Sequence, residues 1–424
     1  MTHTLITPGT AHVAPIRSPR SRRAAVLPPA LKSADSAPAS VFAAVRRRGP
    51  VGRDVVGAVT GLSIATVNRQ VSGLLEAGLL RERPDLAVPG AIGRPRIPVE
   101  VNHEPYLTLG VHIGARSTSI VATDLHGRTL DAVETPTPGG AADTALAALA
   151  DSARRYLRRW HRRRPLWVGV ATGGVVDIGA GLVEHPRLGW SQAPVGPVLA
   201  AALGLPVSVA PHVDAMAGAE LLLGAPAEAR SSLYVYARET VGFAQVIDGR
   251  VHSPASGPGT VAGLPVQSRL LGDSGQLEST VSDEAVVAAA RRAGLLPAGG
   301  PNASIGALLT LARRGQGGGA AQARALLAER ARVLGEAVAL LRDLLNPDDL
   351  VVGGQAFTGY PEALPDVAAA LRGRSLLGPR EVRVTAFGNR VQEAGAGVVA
   401  LSRLYADPIA ALRRAEHRRT GVPA

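Results

Sequence analysis

The residue types best placed to do chemistry in this chain are Ser63, Thr66, Asn68, Arg69 and Gln70. Within about two helical turns they offer hydroxyl, amide and guanidinium groups, which pair with base edges and phosphates in duplex DNA. Such groups work only if a rigid element holds them outward. Gly61 supplies a sharp turn, Ser63 is suited to cap the helix that follows, and Val67, Val71, Leu74 and Leu75 recur at helical spacing. The hydrogen-bonding residues therefore fall near the start of a helix anchored by an apolar stripe. Residues 41–48 and 53–59 read as two further short helices, and residues 79–83 and 96–101 as two strands of a hairpin. The pattern predicts a winged helix-turn-helix, an α+β unit whose third helix enters the major groove. The plainer alternative is a packing helix within a larger α-domain.

The hairpin tip carries Gly93-Arg94-Pro95-Arg96. Proline keeps the backbone extended, glycine permits close approach, and Arg94 and Arg96 suit a narrow, electronegative minor groove. Alone, such a tip would be a solvent-facing turn; on a wing it becomes a second DNA contact. Thr66, Asn68, Arg69 and Gln70 are the candidates for base-edge or adjacent phosphate contacts, with Ser63 capping and within reach of a phosphate.

Length and composition bound the rest. A chain of 424 residues suggests two or three domains, and 46% hydrophobic residues suffice for substantial cores. Aromatics are only 3%, so alanine, valine and leucine do most of the packing. There is no uncharged apolar run of membrane-spanning length, no signal-peptide core in the first forty residues and no cysteine. These features predict a soluble, cytoplasmic protein without membrane contact, disulfides or thiolate metal sites, gathered on the nucleoid when bound to DNA.

The net charge of +12 is carried almost wholly by arginine, Lys32 being the only lysine. Residues 39–102 hold nine arginines against five acids, a modest basic footprint for phosphates. Residues 1–36, with Arg17, Arg20, Arg22 and Arg23 among Pro, Ser and Ala, read as a disordered basic tail. Either that tail adds nonspecific DNA affinity or translation starts downstream of it. The run from Arg154 to Arg164 reads as the solvated end of a helix rather than a second DNA contact, since basic residues suit a helix C-terminus.

Beyond residue 103 the texture changes. Residues 106–114 and 117–124 read as strands, 141–159 as a long helix and 166–172 as a buried strand. A second passage repeats the theme, with strands at 232–237 and 242–251, a long helix at 320–346 and a strand at 350–354. Two similar halves opening on glycine-punctuated strands predict a duplicated α/β core with a cleft between them.

The order and spacing of several landmarks resemble the ROK family (repressors, open reading frames and sugar kinases), in its transcriptional-regulator branch. These are the Gly-Arg-Pro hairpin, Thr123-Asp-Leu-His-Gly127, the run from Gly169 to Asp177, Leu188-Gly-Trp190, Asn346-Pro347 and Gly353-Gly354. The resemblance covers about residues 39 to 405. It implies an actin-like (ribonuclease H-like) domain of two α/β subdomains over 103–405, behind a winged helix-turn-helix over 37–102 and ahead of a basic tail over 406–424. It also implies a homodimer or homotetramer, a DNA operator and control of carbohydrate genes through a sugar or phosphosugar effector.

Departures from the family pattern alter what the cleft can do. Family kinases open with Asp-x-Gly-Gly-Thr, where this chain has His112-Ile-Gly-Ala-Arg116. Their catalytic aspartate ends a Glu-Asn-Asp run, where counting back from Glu220 gives Ala210-Pro211-His212. A slip of two places would bring in Asp214 but spoils the Glu220 spacing. With the general base and phosphate cradle replaced, the resemblance implies a regulator without kinase activity and without a cofactor. The four zinc ligands of the family fall on Gly263, Arg269, Leu271 and Gln276, none able to stand in, so no metal is expected.

Of three further sugar-binding positions only Glu278 is retained, with Thr260 and Gly263 at the others. Each lost buried hydrogen-bond partner costs about 1–3 kcal/mol, enough together to abolish ordinary hexose recognition unless other groups compensate. Thr172, His212, Asp214, Thr260 and Glu278 are the candidates for lining an altered effector cleft. Glu278 serves equally well as a satisfied structural carboxylate. Three classes follow: a regulator answering an effector, a regulator whose second domain only assembles or docks a protein, and a sugar kinase carrying a DNA-binding domain.

Overall fold

A computed structural model describes residues 25–87, 97–225, 229–254, 257, 259–272, 275–300, 303–315, 317–378 and 380–420. Three short helices open the ordered elements: α1 (Ala37–Arg48), α2 (Arg53–Thr60) and α3 (Ile64–Glu76). Val41, Phe42 and Val45 of α1 meet Val56 of α2 and Val67, Val71 and Leu74 of α3 in one buried cluster. Strands β1 (Leu80–Glu82) and β2 (Val99–Val101) pair antiparallel against this core, Leu80 opposite Val101. Both strands are shorter than the sequence predicts.

The first large sheet follows. It comprises β3 (Tyr106–Ile113), β4 (Ser117–Thr123), β5 (Thr129–Pro136), β6 (Arg164–Thr172) after helix α4 (Ala142–Arg158), and, beyond a small three-stranded sheet, β10. That small sheet is β7 (Val175–Asp177), β8 (Leu182–His185) and β9 (Trp190–Ala193); α5 (Val195–Leu203) then leads into β10 (Val207–Pro211) and α6 (His212–Leu223). The strand order β10-β6-β3-β4-β5 places the parallel trio β10, β6 and β3 together. Their near-continuous apolar runs suit a sheet covered on both faces.

The second sheet has the order β13-β12-β11-β15-β16, with β14 beside β12. Its strands are β11 (Ser231–Ala237), β12 (Val241–Ile247), β13 (Arg250–His252), β14 (Gly259–Thr260), β15 (Asp349–Gly353) and β16 (Arg383–Val384). Helices α7 (Leu277–Val281), α8 (Asp283–Arg292), α9 (Ile305–Arg313), α10 (Gly318–Leu345), α11 (Gln355–Thr358) and α12 (Leu364–Arg374) cluster with it. The chain then returns: α13 (Val391–Ala406) lies across β3 and β6 of the first sheet, and α14 (Pro408–Thr420) follows. Close approach of α13 depends on Gly169, where an added Cβ would fall 2.1 Å from the Ala400 nitrogen.

Two stretches expected to be tails are, in their described parts, built into the fold. Residues 25–36 run along both large sheets, with Val26 and Leu31 buried. Composition concealed this, because the few apolar residues sit among prolines and serines yet are spaced to meet existing sheet edges. Residues 408–420 form α14, whose Ala411, Leu412 and Ala415 are buried and whose Ile409 approaches Gly73 of α3. The run from Arg154 to Arg164 is also partly tied down: Arg159 meets Asp131 at 3.2 Å, Arg163 donates to the His103 and Tyr106 carbonyls, and Arg164 meets Glu416 at 2.9 Å.

Candidate functional site

The first site is built on α3. Gly61 ends α2 at φ +69°, in the left-handed region that favours glycine. Two residues on, the Ser63 hydroxyl accepts the Thr66 backbone N–H at 3.3 Å, satisfying one of the helix's orphan donors. Val67, Val71 and Leu74 point into the core, while Ser63, Ile64, Ala65, Asn68 and Arg69 are exposed and Thr66 and Gln70 half-buried. Ile64 is 54% exposed, an apolar side chain presented to solvent among polar ones. Of the five polar candidates, Ser63, Asn68 and Arg69 thus stand in solvent and Thr66 and Gln70 reach it in part.

Arg53 belongs to this surface and was not singled out from sequence. Its Nη1 donates to Asn68 Oδ1 at 3.4 Å, and its Nη2 reaches Glu82 of β1 at 3.4 Å. Only the fold of α2 beside α3 makes that visible. In the hairpin stem, Arg81 and Arg83 both grip Glu100, at 2.7 and 2.9 Å, so these arginines are occupied internally. Arg94 and Arg96, with the rest of the tip, lie outside the described residues.

The second site is the cleft between the large sheets. Thr172, opposite both Ile113 and Pro211 in the ladders, donates to the Ile113 carbonyl at 3.1 Å. His212 opens α6 and stacks on His112 of β3, centroids 6.0 Å apart and planes within 11°. Its other side meets Tyr236 of β11 at 5.1 Å. His185 joins the neighbourhood, and burial depresses all three imidazoles, His212 to about 4. At neutral pH the cluster is uncharged. Tyr236 accepts from Gln392 of α13 at 2.8 Å, and Gln392 in turn accepts from Arg238 at 2.8 Å.

The remaining candidates face elsewhere. Asp214, buried on α6, accepts from the Ser253 hydroxyl at 2.7 Å, and burial pushes its carboxyl up to about 6. Glu278 accepts the Val241 N–H at 2.9 Å, and the Thr260 hydroxyl accepts the Ala262 N–H at 3.1 Å beside it. One Glu278 carboxylate oxygen is thus engaged within the protein. The five cleft candidates are not gathered round one point; each is held by its own neighbour. The groups that meet across the cleft, His112, His185, Tyr236, Arg238 and Gln392, escaped the sequence. In sequence His112 stands out only as a departure from the family's opening motif.

A cavity of about 240 Å³ opens here, lined by Ser119, Tyr236, Arg238, Gln355 and Gln392 among others. Ser119 is the cross-strand partner of His112, so both share one face of the sheet. A neighbouring cavity of about 320 Å³ shares Arg238 and Gln355 and adds Arg116, Glu239 and Glu284. Arg116, between β3 and β4, and Arg187, between β8 and β9 of the small sheet, both reach Glu284 of α8, and Arg187 donates to the Glu239 carbonyl at 3.0 Å. Ion pairs therefore span the cleft mouth. Glu220 is engaged by Thr385 and by the Ala386 N–H. Among the described residues no group of three or more His, Cys, Asp or Glu could hold a metal ion, and no helix is long and apolar enough to cross a membrane.

Two large sheets around a cleft, with a small helical unit ahead of them, define an actin-like, sugar-kinase-like scaffold. A glucokinase from Streptomyces griseus in complex with glucose and AMPPNP shares that fold, with TM-score 0.58 at 23% identity over 69% of this chain and 99% of its own. The chain belongs to the ROK family, whose model matches residues 108–401. A ROK family transcriptional regulator homologous to the Escherichia coli Mlc protein superposes over 89% of this chain and 98% of its own, with TM-score 0.72 and 23% identity. In sequence, a protein of Mycobacterium tuberculosis named as a transcriptional regulator is 70% identical over 400 residues, 92% of this chain and 90% of that protein. The Escherichia coli DNA-binding transcriptional dual regulator NagC is 22% identical over 352 residues, 80% of this chain and 85% of its own length.

Proposed function

We propose that this chain is a sequence-specific DNA-binding transcriptional regulator, acting as a repressor, in which residues 37–102 form a winged helix-turn-helix. The observation that carries this is the start of α3: five polar candidates, Ser63, Asn68 and Arg69 exposed and Thr66 and Gln70 half-buried, are anchored by Val67, Val71 and Leu74 on a three-helix unit. The named regulators among its relatives support the same conclusion. Thr66, Asn68, Arg69 and Gln70 contact bases or adjacent phosphates, Ser63 and Arg53 contact phosphate, and Arg94 and Arg96 enter the minor groove. Two copies, as a homodimer or within a homotetramer, read a two-fold-related operator in the cytoplasm.

The domain over 103–405 works as a sensor rather than an enzyme. Burial holds the His212 imidazole down to about 4, so it is too weak a base to serve phosphoryl transfer well, and the ion pairs at the cleft mouth occupy Arg116. The effector is a carbohydrate or phosphosugar met by His212 and its neighbours. A second possibility, that the domain serves only assembly or docking, is favoured by the internal engagement of Thr172, Thr260 and Glu278. Calorimetry against a panel of sugars separates the two: measurable heat supports sensing, and uniform silence supports the scaffold.

The deciding experiment is footprinting of the full chain on its own upstream region, with Arg69→Ala alongside. A protected, roughly two-fold-symmetric site that the variant loses is expected. General, salt-sensitive binding that is identical in both proteins overturns the proposal.

A further inference from the structure

Residues 25–35 bind the edges of both large sheets immediately before the helical unit begins. At the near end, Val26 bridges Val207 in parallel: the Ala25 carbonyl accepts the Val207 N–H at 3.0 Å, and the Leu27 N–H donates to the Val207 carbonyl at 2.9 Å. This extends the first sheet beyond its edge strand β10. In the middle, the segment crosses α13, where the Ser402 hydroxyl accepts the Ala30 N–H at 3.1 Å and Arg403 donates to the Pro28 carbonyl at 2.7 Å. At the far end it joins β13, the edge of the second sheet. The Val251 N–H donates to the Leu31 carbonyl at 2.9 Å, Lys32 bridges Arg250, and the Ser33 N–H donates to the Gly249 carbonyl at 2.7 Å.

Side chains fasten both ends. Val26 fills the space left by Gly181 and Gly196, and Leu31 that left by Gly218 of α6; a Cβ on Gly218 would meet Leu31 at 2.8 Å. Asp35 meets Lys32 and lies 4.0 Å from Arg250. The chain then enters α1 at Ala37, so only residues 34–36 separate the last sheet bond from the first helix. Three residues span at most about 10 Å. The helix has its own seat, because Arg46 stacks on Tyr405 of α13 at 4.3 Å and donates to the Leu222 carbonyl at 2.8 Å.

We propose that residues 25–36 are a coupling strap that makes the angle between the two sheets and the seat of the DNA-reading helices a single mechanical element. With so little slack, a rotation that shifts β13 relative to the first sheet must either break the strap's bonds or displace α1. A cleft ligand that favours one sheet arrangement would thereby favour one placement of α3, which is the differential contact that coupling between distant sites requires. The consequence for DNA rests on the regulator function above; the mechanical claim does not.

The natural chain has no cysteine, so a single pair gives a clean lock. In the full chain, Lys32→Cys with Arg250→Cys places thiols on bridged residues, and one sample is compared oxidised and reduced. Hydrogen exchange is expected to slow by at least 5-fold in both β13 and α1 on oxidation, without DNA present. Operator affinity is expected to differ at least 5-fold between the two forms. Leu31→Asp should act oppositely, speeding exchange at both places; if that variant fails to fold, the crosslinked pair still decides. Protection confined to β13, with α1 exchange unchanged, overturns the strap. Coupled exchange with no operator binding in either form would leave the strap standing and remove the DNA-reading function instead.

Discussion

Helices α3 and α6 both begin with chemistry-bearing residues, and they use them in opposite ways. The first turns of α3 are capped by Ser63 and leave Asn68 and Arg69 in solvent. The first turn of α6 has no side-chain cap, and Asp214 is turned into the interior with His112 stacked on His212. Exposed groups on a rigid helix remain free to exchange water for a partner at little cost. Buried ones must be neutralised or paired where they stand, which shifts their titration. The contrast shows which part of the molecule presents itself to a partner and which part responds to its own interior.

The largest effect expected on the α3 side comes from its anchor. Leu74→Ala should lower the stability of the helical unit by about 2–5 kcal/mol, read from denaturant midpoints. Equal midpoints would mean that the outer side does not depend on that core. Next, Arg69→Ala should weaken operator binding by about 1–3 kcal/mol while leaving the melting temperature alone. A loss shared equally by random DNA would make Arg69 a phosphate contact instead.

On the α6 side the prediction is a pH dependence. The Asp214 carboxyl is raised to about 6 by burial, above its ordinary value. Its neutral form is therefore favoured in the fold, and its ionisation destabilises progressively as pH rises through about 6. Asp214→Asn should stabilise the protein by about 2 kcal/mol near pH 8, with the gain vanishing below about pH 4. A gain independent of pH would show that charge is not the cause. His212 runs the other way: held down to about 4, it contributes stability above its ordinary value that is lost as pH falls through 4, and His212→Gln should flatten that acid limb. Smallest is Ser63→Ala, expected to cost about 1 kcal/mol by leaving the Thr66 N–H without its acceptor. No change in thermal melting would mean that water replaces the cap.

Much of α3 was legible because its signals are short-range. A glycine turn, a serine cap and an apolar stripe at i, i+4, i+7 and i+8 lie within the fifteen residues from Gly61 to Leu75, whatever the rest of the chain does. The alternation of strands and long helices beyond residue 103 was legible for the same reason. The cleft was not. The sequence leaves Glu278 equally suited to ligand and structural roles, and its bond to the Val241 N–H, thirty-seven residues away, is visible only in the fold. The stacking of His112 on His212 joins strands and helices a hundred residues apart, and no local pattern records it.

By itself, then, the order of residues determined the helical unit's elements, the side of α3 that faces outward, the duplicated α/β pattern and the absence of thiolate chemistry. These follow from periodicity, backbone preference and residue chemistry, all local properties. Tertiary structure alone decided that residues 25–36 bridge two sheets, that α14 packs beside α1 and α3, and that Asp214 and Glu278 face partners of their own. Those outcomes depend on which unpaired edges, small residues and buried donors meet in space, and such complementarity belongs to pairs of distant segments rather than to either one.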